Sequence, residues 1–204
     1  LISNAANWWY KRGVTEITGF RVMFVGSFSR AFDFDDIFLA AGQLSDQNID
    51  CEFILCGDAE KNDEIRSRAK YYDKVKIIEW IDLPKIRVLA KLSDASIAPY
   101  KSTGDFIISI PNKIVDSLML GLPIFSPLQG EVASLIEKYK VGFSYGNDFP
   151  LNDCIRSLIM DNKSQKQMSA NAKKLYESNF EFDKVYNQLV LHLENMSNKR
   201  MTRI

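Results

Sequence analysis

Residues 21–58 read RVMFVGSFSRAFDFDDIFLAAGQLSDQNIDCEFILCGD. A compact apolar run stands at each end, 21–25 (RVMFV) and 51–56 (CEFILC), and each stops at a glycine, Gly26 and Gly57. Neither run alternates cleanly between apolar and polar residues, so each reads as a strand buried on both faces. Between them, 35–43 (DDIFLAAGQ) sets Ile37, Phe38, Ala41 and, one turn on, Leu44 on one helical face. A strand, a helix and a second apolar strand predict two parallel strands joined by a right-handed crossover.

The same alternation continues outward. Further strands are predicted at 75–78 (VKII), 95–98 (ASIA), 123–126 (PIFS) and 142–145. Helices are predicted at 63–71, 84–92, 111–120 and 132–138, then at 150–160, 164–178 and 182–196. Pro84 and Pro111 open their helices, where a missing N–H costs nothing. The expected fold is α/β: a doubly wound, Rossmann-like parallel sheet of about six strands with C-terminal helices. This domain spans 18–196. Residues 1–17 read as a linker or hinge from a preceding domain, and 197–204, with Lys199, Arg200 and Arg203, as a frayed tail. Residues 1–7 lack a basic region and an apolar core, so they do not read as a signal peptide, and the chain is expected to be a piece of a longer protein.

Composition removes several functional classes. Of 204 residues, 46% are hydrophobic and 25% charged, a globular balance that excludes disorder as the main state. Lys+Arg and Asp+Glu are both 26, so no global basic field draws the chain to nucleic acid. The 3 cysteines, all in apolar runs, read as reduced core thiols. The 1 histidine, His192, cannot supply a poly-histidine metal site, and it argues against a Ser–His–Asp engine. No metal site and no cofactor are expected. No apolar stretch reaches the roughly 18 residues of a membrane span.

Open parallel sheets bind ligands beyond the carboxyl ends of their strands. That nominates the loops after Val25, Cys56, Ile78, Ala98 and Ser126. Gly26 and Ser27, with Arg30 beyond them, form a small loop before a helix; it can offer amides and a cation to phosphate, or be a plain turn with an exposed arginine. Trp80 and Ile81 end the third strand, where Trp80 can wall a pocket for a flat base or simply be partly buried. Gly57-Asp58 reads as a tight turn, and Glu131 as a helix cap.

The richest stretch is 109–124 (SIPNKIVDSLMLGLPI). Ile110, Pro111 and Asn112 lead into a helix whose amide end faces the crevice. Lys113 in a first turn opposes the helix dipole, a poor local choice that a bound anion explains. Asp116 follows three residues later on the same side, where a carboxylate can accept from both hydroxyls of a ribose. The alternative is a solvated Lys–Asp pair.

An ordered set of these segments resembles the C-terminal half of a GT-B-fold glycosyltransferase of the group-1, or family-4, retaining class. Val25-Gly26 resembles its opening strand and phosphate loop. Phe53 through Asp58 resembles its strand-then-Gly-Asp signature, and Asp94 through Pro99 the segment before and through its fourth strand. Pro111, Lys113, Asp116, Gly121 and Pro123 are similar to the subgroup pattern P-x-K-x-x-[DE]-x-x-x-x-G-x-P. The resemblance runs from Phe20 to about Leu193.

It implies transfer of a sugar from a nucleotide-diphosphate sugar, held on this half, to a glycan or lipid-linked acceptor held on an N-terminal domain. Such enzymes build bacterial surface polysaccharides, in the cytoplasm or peripherally on the inner membrane face. By resemblance Asp116 holds the ribose hydroxyls. The amide end at Ile110–Lys113 and the loop Gly26–Arg30 hold the diphosphate, with Lys113 and Arg30 meeting its charge, while Trp80 and Ile81 flank the base. The pattern departs at three positions. Ile108 stands where the family carries a first carboxylate, and Ser27 and Phe32 stand where it often carries cations. A non-catalytic nucleotide-sugar-binding domain of the same fold is the alternative reading, and a sugar-nucleotide epimerase is a third. Residues 7–13 (NWWYKRG) suit an interface with the other half or a membrane-surface contact.

Overall fold

The computed structural model describes residues 2–58 and 62–201. Six strands form one sheet: β1 (Phe20–Val25), β2 (Cys51–Cys56), β3 (Val75–Ile78), β4 (Ala95–Ile97), β5 (Ile124–Ser126) and β6 (Gly142–Ser144). Their order is β3-β2-β1-β4-β5-β6, and every pairing is parallel. The order reverses between β1 and β4, so the two halves of the sheet wind in opposite directions and leave a crevice at that point. The expected architecture is the one observed.

Both faces of the sheet are covered, which is why the strand sequences are apolar throughout. On β1 and β2, Val22, Phe24, Phe53 and Leu55 enter one core, and Met23, Ile54 and Cys56 the other. The first core also takes Ile37, Phe38 and Leu44 of α2 (Asp35–Asp46), with Ile155 and Leu158 of α8 (Leu151–Met160). The second takes Val88 and Leu89 of α4 (Leu83–Lys91). Asp82 caps α4 by accepting from the Lys85 N–H at 3.2 Å, and Pro84 sits in its first turn as expected. All three cysteines are buried and unpaired with one another, and burial pushes their thiols up.

Two helices lie outside the sequence expectation. The segment read as a linker contains α1 (Ile2–Tyr10). Its Ala5 and Trp9, one turn apart, are buried in the second core, and Trp9 donates through Nε1 to the Lys85 carbonyl at 2.9 Å. Trp8 carries the Arg12 guanidinium over its ring at 3.5 Å. Packing against α4, rather than propensity, holds this helix in place. The other addition is the single turn α5 (Gly104–Ile107). The expected tail from 197 is helical through Met201, the end of α10 (Phe182–Met201), and 202–204 lie outside the described residues.

At the amino-terminal edge of the sheet, opposite the crevice, Arg21 is fully buried. Its guanidinium pairs with Glu52 at 2.6 Å and donates to the Leu92 carbonyl at 2.9 Å; Lys76 reaches the other Glu52 oxygen at 2.6 Å. Asp94 accepts from the Arg21 backbone N–H at 2.8 Å. A buried charge is tolerated only with such partners, so this network fixes how β1, β2 and the start of β4 meet.

Candidate functional site

The helix α6 (Asn112–Leu120) follows the loop that leaves β4 and lies over the crevice between β1 and β4. Pro111 is its N-cap residue, one position earlier than the first-turn role expected, and offers no side-chain cap. Gly121 ends it in the left-handed conformation, φ +69°. Ile114 and Leu118 anchor its inner face in the first core. Lys113 is thereby turned toward the carboxyl end of β1.

The Lys113 ammonium donates to the Val25 carbonyl, the last of β1. It also lies over two aromatic faces, 4.5 Å from the centroid of Phe24 and 5.3 Å from that of Phe32. Burial lowers its pKa from 10.5 to about 8, against the opposing attraction of Asp116. Asp116 stands at the rim; partial burial raises its carboxyl and Lys113 opposes the rise. Gly26 is what permits the approach, because a β-carbon there would land on the Lys113 ammonium.

Both charged groups line a cavity of about 140 Å³. Its walls are apolar: Met23 and Val25 of β1, Leu83 and Ile86 of α4, and Met119 and Leu120 of α6. An apolar hollow at the strand-order reversal, with one ammonium and one carboxylate at its edge, suits a small ligand that carries both an anion and a hydroxylated body. A larger cavity, about 500 Å³, opens at the amino-terminal edge between α4, α6 and α9 (Asn162–Asn179). It holds none of the expected site residues and lies on the side where parallel sheets do not bind ligands.

The remaining expected residues fall as follows. Ser27 and Arg30 are exposed on the loop after β1. That loop turns its aromatic residues inward, with Phe28, Phe32 and Phe34 all buried around Phe24. Trp80 is 61% exposed and Ile81 only 2%, so Trp80 presents a free ring while Ile81 belongs to the second core. The pair lies two strands from β1, about 10 Å away by strand spacing. Ile110 packs half-buried against the first core, and Asn112 is exposed at the first turn of α6. The crevice therefore brings Gly26, Lys113 and Asp116 together. Glu131 stands in the first turn of α7 (Glu131–Tyr139), as expected of a residue that complements the dipole.

Sequence reasoning missed one residue, Tyr100. Burial, followed by the Asp116 charge, raises the pKa of its phenol. The ring is held between Phe32 and Phe106, each 4.6 Å away between centroids. The only signal for it in the sequence is the density of aromatic residues on either side of the crevice.

A sequence model of the family described as glycosyl transferases, group 1, matches residues 12–175. The chain belongs to that family. As a group 1 glycosyl transferase it is similar in fold to several solved structures. HepE of Anabaena, solved with UDP and glucose, is 21% identical, with TM-score 0.70 over 95% of this chain and 52% of its own. Sucrose-phosphate synthase of Thermosynechococcus elongatus is 13% identical, with TM-score 0.76 over 97% and 49%. WaaG, a glycosyltransferase involved in lipopolysaccharide biosynthesis, is 16% identical, with TM-score 0.67 over 88% and 48%. The chain thus spans about half the length of each. No curated protein matches it in sequence. Among the described residues no helix is long and apolar enough to cross a membrane, and no three His, Cys, Asp or Glu side chains gather as a metal site.

Proposed function

We propose that this group 1 chain is the donor-binding half of a retaining, hexosyl-type glycosyltransferase. It takes a sugar from a nucleotide-diphosphate sugar and passes it to a glycan or lipid-linked acceptor bound by another domain. The observation that carries the reading is the pairing of Lys113 and Asp116 on one apolar hollow at the β1/β4 reversal. Similarity to HepE, solved with UDP-glucose, supports the ligand class.

The division of labour follows from chemistry. Departure of the diphosphate concentrates negative charge on its outer oxygens. The Lys113 ammonium has three donors and gives one to Val25, so two are free for phosphate, and the amide end of α6 adds its positive dipole. Arg30, on the exposed loop, supplies the second cation, with Gly26 and Ser27 beside it. Asp116 accepts from the ribose hydroxyls, Ile110, Pro111 and Asn112 shape the entrance, and Trp80 and the Ile81 backbone flank the base. A bound diphosphate favours charged Lys113, so donor affinity declines as pH climbs above about 8. We place the reaction in bacterial surface polysaccharide synthesis, in the cytoplasm or at the inner membrane face, by analogy with WaaG.

A second reading is a nucleotide-sugar-binding domain without catalysis. It is favoured by Ile108, 80% exposed where the family carries a carboxylate, and by the inward-turned aromatic loop. A thermal-shift panel of UDP-, GDP- and ADP-sugars on this chain tests the shared premise, since a ligand of the folded state raises its melting temperature. No shift with any of them refutes both readings. Sugar transfer or donor hydrolysis by the parent protein then separates them.

A further inference from the structure

We infer that the hollow between α4, α6 and α9 is a second binding site, built for a small organic anion: a phosphate or carboxylate joined to a compact apolar body. The inference stands apart from the donor-binding reading, because this hollow contains neither Lys113 nor Asp116.

The floor of the hollow is apolar, made by Val88 of α4, Met119 of α6 and Leu122 just beyond α6. Its volume, about 500 Å³, is that of a small-molecule site. Open parallel sheets bind ligands beyond the carboxyl ends of their strands, but helices wall this hollow, so that rule does not govern it. Met119 and Leu120 line both this cavity and the crevice, which makes the last turn of α6 the partition between two sites.

Three cations line the hollow: Arg87 and Lys91 from α4, and Lys173 from α9. The Lys173 stem lies along Gly121, where a β-carbon would collide with it. Among the described residues, none of the three is paired with a carboxylate. The one acid in the wall, Asp94, is already engaged through both oxygens. One accepts from the Arg21 N–H at 2.8 Å, and the other from the Gln165 amide nitrogen at 2.9 Å. Lys91 has a local reason to be there, since a cation in the last turn of α4 complements the helix dipole. Arg87, a turn earlier, has none. The hollow continues along α9, where Lys166 adds a fourth cation to its extension. Like charges left without partners around one cavity repel one another, and a bound anion relieves that repulsion. The apolar part of such a ligand then covers the Val88–Leu122 floor and leaves water.

A merely solvated cationic face would bind phosphate and its esters alike, by charge alone. The two cases separate when 1-naphthyl phosphate, 1-naphthol and inorganic phosphate are titrated by calorimetry into this 204-residue chain. Expected is binding of 1-naphthyl phosphate about tenfold tighter than that of either other probe. Lys91→Gln and Lys173→Gln, both at exposed positions, each weaken it about fivefold. Ser169→Trp, which fills the hollow from α9, brings 1-naphthyl phosphate down to the level of inorganic phosphate. Lys113→Met leaves its affinity unchanged, which separates this site from the crevice. No binding of 1-naphthyl phosphate, or binding equal to that of inorganic phosphate, overturns the proposal. So does a loss in Lys113→Met with none in Lys91→Gln or Lys173→Gln, which assigns the probe to the crevice.

Discussion

Replacing Lys113 with methionine should make the protein more stable and less able to bind its donor. The ammonium is partly buried, and its pKa falls from 10.5 to about 8. That fall corresponds to about 3 kcal/mol against the charged form at neutral pH. Methionine keeps an unbranched apolar stem over Phe24 and Phe32 and removes the charge. It also removes the bond to Val25 and the ring contacts, so the net gain at pH 7 should be about 1–3 kcal/mol. The sign of the pH dependence follows from linkage. Between the folded and unfolded pKa values the unfolded chain binds a proton that the folded chain lacks, so the parent gains stability as pH rises from about 8 toward 10.5. Urea unfolding of both proteins at pH 7 and pH 10 reads this directly. The variant's advantage should shrink by about 2 kcal/mol across that interval. Other groups titrating in alkali act alike in both proteins and cancel. A variant less stable than the parent at pH 7, or an advantage that does not change with pH, refutes the reasoning. Calorimetry on the same samples should show donor diphosphate binding lost, the pattern of a residue kept for function at a cost in stability.

Four further outcomes follow from the structure. Asp116→Ala should weaken nucleoside-diphosphate binding by about 1–3 kcal/mol in calorimetry, through loss of charged hydrogen bonds to ribose; unchanged affinity removes Asp116 from the site. Gly26→Ala puts a methyl where the Lys113 ammonium rests, at a backbone φ of +158° that a side chain rarely adopts, so diphosphate affinity should drop about tenfold and the urea midpoint should fall as well. Glu52→Gln leaves the Arg21 charge buried with a neutral partner and should cost about 3–5 kcal/mol in unfolding free energy, with no change in affinity in whatever still folds. Trp9→Ala should cost about 3–5 kcal/mol, because α1 is part of the domain core; a loss under about 1 kcal/mol would mean that α1 is dispensable.

Much of the fold was legible because both faces of the sheet are buried. Val22 and Phe24 point one way and Met23 and Ile54 the other, so the strands stand out as solid apolar runs between amphipathic helices. Helix α1 was not legible. Its sequence, ISNAANWWY, carries no charge in its first or last turn, and its helical state follows from burying Ala5 and Trp9 on α4, a contact between distant parts of the chain. The core of the site was legible at Lys113, because a lysine in a first turn goes against the local dipole and asks for a reason. Its apolar and aromatic surroundings were not. Phe32 and Tyr100 are separated by three helices and three strands, and the bridge between their loops makes them one wall. Ile81 shows the limit of position-based reasoning: the loop after β3 is where ligands bind, yet this side chain turns into the core while Trp80 turns out.

The central claim is that the Lys113–Asp116 edge of the β1/β4 crevice holds the diphosphate and ribose of the donor. A crystal structure of the chain with the nucleoside diphosphate that shifts its melting most tests it. The account predicts phosphate oxygens within about 3 Å of the Lys113 ammonium, and ribose hydroxyls on Asp116. A nucleotide seated instead in the groove between α4, α6 and α9, with the Lys113 ammonium bonded to Val25 alone, would contradict it.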